Sequence, residues 1–292
     1  MRGVHYISKA KLNLFLHVLG LESNSFHDLQ SLVYFPNIYD ELSFSLHEHN
    51  EIIATGEFSA VLPPWQENSI YKVINFFQES FAIKEKIRVE LHKNLPLGGG
   101  IGGGSSNTAI TIMAMNELFN LGLSFAEKLE IAKKFGSDVP VCLYQSHSGA
   151  MFEGKGEMVR AVNLPEIPLL LINPMQPLLT GDVFKKYDEV QQIHSSKIEL
   201  PDVNNFNSLI NFLKNTKNDL SAASIFLNKN ISHILVALEE TSPCLSRMSG
   251  SGSTCFAIYE NNQSLEDAYK KLQILYPNYW IAISKTTNNA II

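Results

Sequence analysis

Cysteine is scarce: Cys142, Cys244 and Cys255 are the three in 292 residues, far apart and without a CxxC or Cys/His pairing. That excludes a disulfide framework, and the apolar neighbourhoods of all three predict reduced, buried thiols in a reducing compartment. Long apolar runs are missing too, none approaching the roughly 18 residues of a membrane span. Lysines interrupt the N-terminal MRGVHYISKAKLNLFLHVLG where a secretion signal needs an unbroken apolar core. Positive charge is in short supply, 23 Lys and Arg against 29 Asp and Glu for a net charge of -6, whereas a nucleic-acid binder needs a basic face. These absences predict a cytoplasmic protein with no membrane or nucleic-acid partner. Metal-ligating clusters are equally thin: His47-Glu48-His49 is the one close His pair, without a third ligand in view, and reads as a polar strand end or turn.

What is present is ordinary globular material, 45% hydrophobic and 18% charged. The length predicts two domains. Alternation over Lys11 to Val18, with Leu12, Leu14, Leu16 and Val18 opposed by Lys11, Asn13, Phe15 and His17, predicts a half-buried strand. Further strands are expected in ELSFSLHE, EIIATG, KIRVELHK and IPLLLINP, and helices in SIYKVINFFQESFAI, NTAITIMAMNELFN, FNSLINFLKN and ISHILVALEE. SFAEKLEIAKKF opens with Ser124 and Glu127 in capping-box spacing, a helix with marked ends. GSDVPVCLY is expected to leave that helix for a strand. The elements mix without a βαβ period, so the class is α+β. The FEGKGE turn near residue 155 sets an expected boundary between domains 1–152 and 153–292.

The densest feature is NLPLGGGIGGGSSNTA, residues 94 to 109, with glycine at six of the seven positions from 98 to 104. Glycine in an element interior costs about 0.5–1 kcal/mol relative to alanine, so the cluster needs a cause. A loop without Cβ atoms brings its N–H groups close to a ligand, and a helix starting directly after it adds unpaired amides and the positive dipole end. Such a site binds anions, with Ser105, Ser106 and Asn107 placed to cap the helix or donate to phosphate oxygens. A Walker A loop is excluded, because no lysine lies between Leu95 and Ala109. The GxGxxG at Gly98, Gly100 and Gly103 fails as a dinucleotide fingerprint, since Leu95-Pro96 breaks the strand-to-loop junction. Neither HRD nor DFG occurs, which removes the protein kinases.

Three segments together resemble the GHMP kinases (galacto-, homoserine, mevalonate and phosphomevalonate kinases): KAKLNLFLHVLG their first motif, LPLGGGIGGGSSNTA their second, RMSGSGSTCFAIY their third, in matching order along nearly the whole chain. The resemblance implies a two-domain α+β fold with the active site in the inter-domain cleft, and ATP-dependent phosphorylation of a small-molecule alcohol, with Mg2+ accompanying the ATP. Lys11 and Asp138 match the catalytic positions, the aspartate accepting the proton of the attacking hydroxyl; its alternative is a capping carboxylate after a helix. Pro96, Gly98, Gly99, Gly100, Gly102, Gly103, Gly104, Ser105, Ser106 and Asn107 match the ATP loop. Ser106 is a candidate magnesium ligand, and no residue is a certain one. Asn68 and Lys93 match positions near the adenosine, Lys93 having a solvated surface lysine as its alternative.

Within the family, KLNLFL followed by FHDLQSL, and GSDVPV, imply the member acting on a cytidine diphosphate-linked methylerythritol, phosphorylated at its 2-hydroxyl in the non-mevalonate isoprenoid route. The implied substrate contacts are Asn13, Phe26, His27, Thr180 and Phe184, with His27 on the cytosine edge and the two phenylalanines sandwiching the base. Gly250 and Gly252 are expected to admit substrate phosphates or to brace the main loop. Phe26 stands where tyrosine is common, and Gly181 and Ser253 where proline is frequent. Another small-molecule GHMP kinase, of the homoserine or mevalonate type, is the alternative. The resemblance leaves the choice between monomer and homodimer open.

Overall fold

Apolar alternation in three early segments builds the first sheet. A computed structural model describes residues 3–21, 27–154, 156, 158–190 and 194–287. In it β1 (Gly3–Lys9) pairs with β4 (Tyr39–His47), β4 with β6 (Lys86–His92), and β6 in parallel with β5 (Glu51–Thr55). The register sets Leu42 opposite Leu91 and Phe44 opposite Val89, so the buried faces of both strands coincide. Over β1 and β4 packs α2 (Gly103–Leu118), joined by α1 (Ser69–Ser80), α3 (Phe125–Lys133) and α4 (Val139–Cys142). α2 is apolar nearly all round, so it is buried nearly all round. The capping box of α3 forms as read, with the Ser124 side chain accepting from the Glu127 amide.

A second group of elements holds two antiparallel sheets. One runs β2 (Leu12–Leu21), β3 (His27–Tyr34), β7 (Gly149–Gly154), β8 (Met158–Val162); the other β10 (Leu245–Met248), β11 (Cys255–Ile258), β9 (Leu169–Asn173), β12 (Trp280–Ser284). With them go α5 (Thr180–Val190), α6 (Phe206–Lys214), α7 (Ser221–Leu227), α8 (Asn230–Glu239) and α9 (Asn262–Leu275). Their common core joins Leu16 and Val18 to Leu170, Ile172, Val183, Ile234, Leu265 and Leu272.

The chain divides into two compact units, one of Met1–Ala10, Tyr39–Leu97 and Gly102–Ser146, the other of Lys11–Ile38, Gly98–Ile101 and His147–Ile292. This differs from a single cut at residue 152. The strands of residues 12–34 hydrogen-bond onward to β7, and the turn near 155 joins β7 to β8 within one sheet. Two local expectations need correction. GSDVPVCLY continues as the short helix α4 with Pro140 in its first turn, where a missing N–H is harmless. β2 is buried on both faces, Asn13 and Phe15 completely, because the face carrying polar residues meets hydrogen-bond partners instead of water. Cys142 and Cys255 are buried and in no disulfide, as read, but Cys244 is partly exposed. Among the described residues no helix is long and apolar enough to cross a membrane.

Gly149 faces Tyr34 across the β3–β7 pair, and a Cβ there would lie 2.5 Å from Leu164 Cδ1 and 2.7 Å from the Val33 carbonyl oxygen. Gly149→Ala is therefore expected to lower stability by about 1–3 kcal/mol, read from a denaturant melt; an unchanged midpoint would mean that this pair has slack.

Candidate active site

In the first unit the central element is a carboxylate. Asp40, fully buried at the start of β4, accepts from Lys93 Nζ at 2.6 Å and Asn107 Nδ2 at 3.0 Å through Oδ2, and from the amides of Asn94 and Leu95 at 2.8 and 2.9 Å through Oδ1. Four donors on one carboxylate offset the desolvation that makes a buried charge unfavourable. They fix the segment entering the glycine loop and the first turns of α2. Lys93 is 1% exposed, neither a surface lysine nor an ammonium open to solvent. Burial lowers its pKa, and the Asp40 charge opposes that shift. Asp40 was legible as an acid on the same strand face as Leu42 and Phe44, and sequence reasoning passed over it.

α2 begins at Gly103 with Gly102 as its N-cap, in the left-handed region at φ 64. The cap is thus a glycine and not one of the following polar residues. Ser106 is buried and donates to Cys142 Sγ at 3.4 Å, and Asn107 serves Asp40. Gly104 is exposed, Ser105 partly exposed, and a Cβ at Gly104 would meet nothing within 4 Å, so the open part of the first turn is at these two residues. Pro96 is buried. Asn68 is the N-cap of α1, its Oδ1 accepting from the Ile70 amide at 3.0 Å. Asp138 sits at the N-cap position of α4, partly buried, and makes no side-chain cap bond to that helix.

In the second unit the first glycine triplet meets the third motif backbone to backbone. A Cβ on Gly100, φ +73, would stand 2.6 Å from the carbonyl oxygens of both Gly252 and Ser249, and one on Gly98 2.8 Å from Pro177. A Cβ on Gly250 would stand 3.0 Å from the Gly100 carbonyl oxygen. Gly99 accepts from the Thr254 amide at 3.0 Å, and Ile101 from the Lys11 amide at 2.8 Å. Ser249 Oγ accepts from the Asn13 amide at 3.0 Å and donates to the Gly100 carbonyl at 3.1 Å.

Lys11, 3% exposed, donates from Nζ to Asn13 Oδ1 at 3.0 Å, and Asn13 Nδ2 donates to Ser31 Oγ at 2.8 Å. Lys11 lies directly before β2 rather than within it, and its side chain meets that of Asn13 on the strand. The third-motif loop is held by Asn218, which no sequence signal marked, and by the motif's own Arg247 and Ser253. Asn218 Nδ2 donates to the carbonyls of Met248 and Gly250, both at 2.8 Å. Arg247 donates to the carbonyls of Leu14 at 2.7 Å and Thr216 at 2.8 Å, and burial lowers its pKa to about 10. Ser253 replaces the frequent proline and donates to the Gln176 carbonyl at 2.8 Å.

The expected base contacts collect at β3 and α5. His27 stacks on Phe184 with ring centroids 4.6 Å apart and 25° between planes. Thr180, the first residue of α5, shares a 3.1 Å hydrogen bond with Ser251. Phe26 lies outside the described residues. Among the described residues no group of three or more His, Cys, Asp or Glu is arranged to hold a metal. With the Ser106 hydroxyl turned to Cys142, the described side chains do not build a resident magnesium site.

A family model described as the GHMP kinases N terminal domain matches residues 68–146, and the GHMP kinases C terminal model matches 195–278. The 4-diphosphocytidyl-2-C-methyl-D-erythritol kinase of Thermoanaerobacter sp. (strain X514) is 32% identical over 292 residues, covering 100% of this chain and 99% of its own. The enzyme of the same name from Bartonella tribocorum is 31% identical over 95% of this chain and 94% of its own. Among solved structures, a 4-(cytidine 5'-diphospho)-2C-methyl-D-erythritol kinase superposes with TM-score 0.78 at 22% identity, covering 97% of this chain and 100% of that one. A homoserine kinase from Cytophaga hutchinsonii gives 0.68 at 17%, covering 99% and 96%. Both likenesses show the fold.

Asp40→Asn leaves the Lys93 ammonium buried against an amide and is expected to lower stability by about 3–5 kcal/mol. A thermal melt within a degree of wild type would contradict that role. Gly100→Ala is expected to weaken nucleotide binding through displacement of the 98–101 segment, measured by titration with a non-hydrolysable ATP analogue; wild-type affinity would show the close approach to be dispensable.

Proposed function

Since this chain belongs to the GHMP kinase family, we propose that it transfers the γ-phosphoryl group of ATP to the 2-hydroxyl of 4-diphosphocytidyl-2-C-methyl-D-erythritol, on the non-mevalonate route to isoprenoid precursors. The observation carrying this reading is the full-length identity to kinases of that name. The stacked His27–Phe184 pair supports it, offering an aromatic face and an imidazole to a nucleobase. The homoserine and mevalonate alternatives find no comparable support in the full-length relatives.

Phosphoryl transfer asks the protein for positioning and charge stabilisation more than for covalent chemistry. Asp138 accepts the proton of the 2-hydroxyl as its oxygen bonds to the γ-phosphorus and the bond to the β–γ bridging oxygen breaks, releasing ADP. The Lys11 ammonium, held by the Asn13 carbonyl oxygen, offsets negative charge developing on the transferred group. The amides of Gly103, Gly104 and Ser105 at the start of α2 meet phosphate oxygens. Mg2+ accompanying the ATP would offset charge on its phosphates; among the described residues no cluster of three or more His, Cys, Asp or Glu would hold it. The partner is a small molecule and the compartment the cytoplasm, in keeping with the reduced thiols.

Assayed with ATP against cytidylated methylerythritol, homoserine and mevalonate, the protein is expected to turn over the first alone; turnover of another alcohol in its place would reassign the substrate. Asp138→Asn is expected to lower kcat by about 100-fold to 10,000-fold with nucleotide affinity retained, and a kcat near wild type would remove the aspartate from the proton-accepting role.

A further inference from the structure

Asp188 follows Phe184 by one helical turn on α5, which puts both on the same helix face. Its Oδ1 lies 2.7 Å from His27 Nε2. The His27 side chain is 8% exposed, lies flat on Phe184 and meets Tyr187 edge-on at 5.9 Å. Stacking, the edge contact and the carboxylate together fix both the plane of the imidazole and its rotation within that plane.

An ionised carboxylate only accepts hydrogen bonds, so the hydrogen of this pair sits on Nε2. In a neutral imidazole the lone pair then resides on Nδ1, which becomes an acceptor. Carboxylate partners set histidine tautomers in this way at metal sites, and the physics does not require a metal. Cytosine carries an amino donor at C4, where uracil carries a carbonyl acceptor. An Nδ1 acceptor is complementary to the first and faces lone pair to lone pair with the second.

We propose that Asp188 is a positioning residue that holds His27 as the Nε2–H tautomer and thereby makes the base subsite select a cytidine diphosphate group over a uridine diphosphate group. The inference rests on the cytidyl substrate proposed above and adds the residue that decides the base. A site built around one buried hydrogen bond rejects an analogue unable to make it more strongly than a merely apolar pocket rejects a shape change.

The test is calorimetric titration of the full chain with cytidine diphosphate and with uridine diphosphate at about pH 8, above the ordinary imidazole pKa. Wild type is expected to favour the cytidine ligand by about tenfold or more. In Asp188→Asn the amide rotates to donate or accept, and in Asp188→Ala the partner is gone, so in both the ratio is expected to fall within about threefold. Affinity for an ATP analogue should stay unchanged in both variants, which separates loss of base selection from loss of structure. If both variants keep the wild-type ratio, the tautomer assignment is wrong while the kinase reading stands. If wild type itself shows no cytidine preference and leaves cytidylated methylerythritol unphosphorylated, the proposed substrate and this inference fall together.

Discussion

The placement of the second unit's glycine segments depends on how near two stretches of bare backbone approach one another. At Gly100 a single methyl group would stand 2.6 Å from two carbonyl oxygens of the 249–252 segment, a separation that no side chain tolerates. Around that approach the Ser249 hydroxyl bridges the Asn13 amide and the Gly100 carbonyl, so the start of β2, the first glycine triplet and the third motif are held in one hydrogen-bonded arrangement. Three of the six glycines answer two demands. Gly98 and Gly100 allow packing within the second unit, while Gly102, in the left-handed region, opens α2.

The first unit meets its corresponding requirement with charge. A helix start able to meet an anion needs its amides unencumbered, yet the chain entering it must be fixed. Asp40 satisfies both, because its four donors come from Lys93, the Asn94 and Leu95 amides and Asn107, leaving the earliest amides of α2 uninvolved. The ion pair is too buried to be a surface ornament. It holds geometry, because loss of either partner would leave the other as an uncompensated buried charge.

Polar residues on β2 and β3 follow the same logic of orientation through partners. Lys11 is aimed by Asn13, Asn13 by Ser31, and His27 by Asp188. Lys11, Asn13, His27 and Ser31 all fall within recognisable motifs, whereas Asp188, which orients His27, was marked by none. Motifs are contiguous in sequence, whereas an orienting partner needs only to be near in space: Asp188 is 161 residues from His27.

The sequence by itself determined the element types wherever periodicity and punctuation agreed, as in β6 with Ile87, Val89 and Leu91, and in α3 with its capping box. It also determined the family, because three motifs in fixed order are legible without coordinates. Only the tertiary structure decided that residues 11–38 group with the C-terminal half, that β2 is buried on both faces, that GSDVPV turns into a helix, and that Lys93 is neutralised by Asp40. The physical reason is common to all four. Local propensity and periodicity are properties of neighbours along the chain, but burial, ion pairing and sheet order are properties of neighbours in space, fixed only when distant segments close on one another.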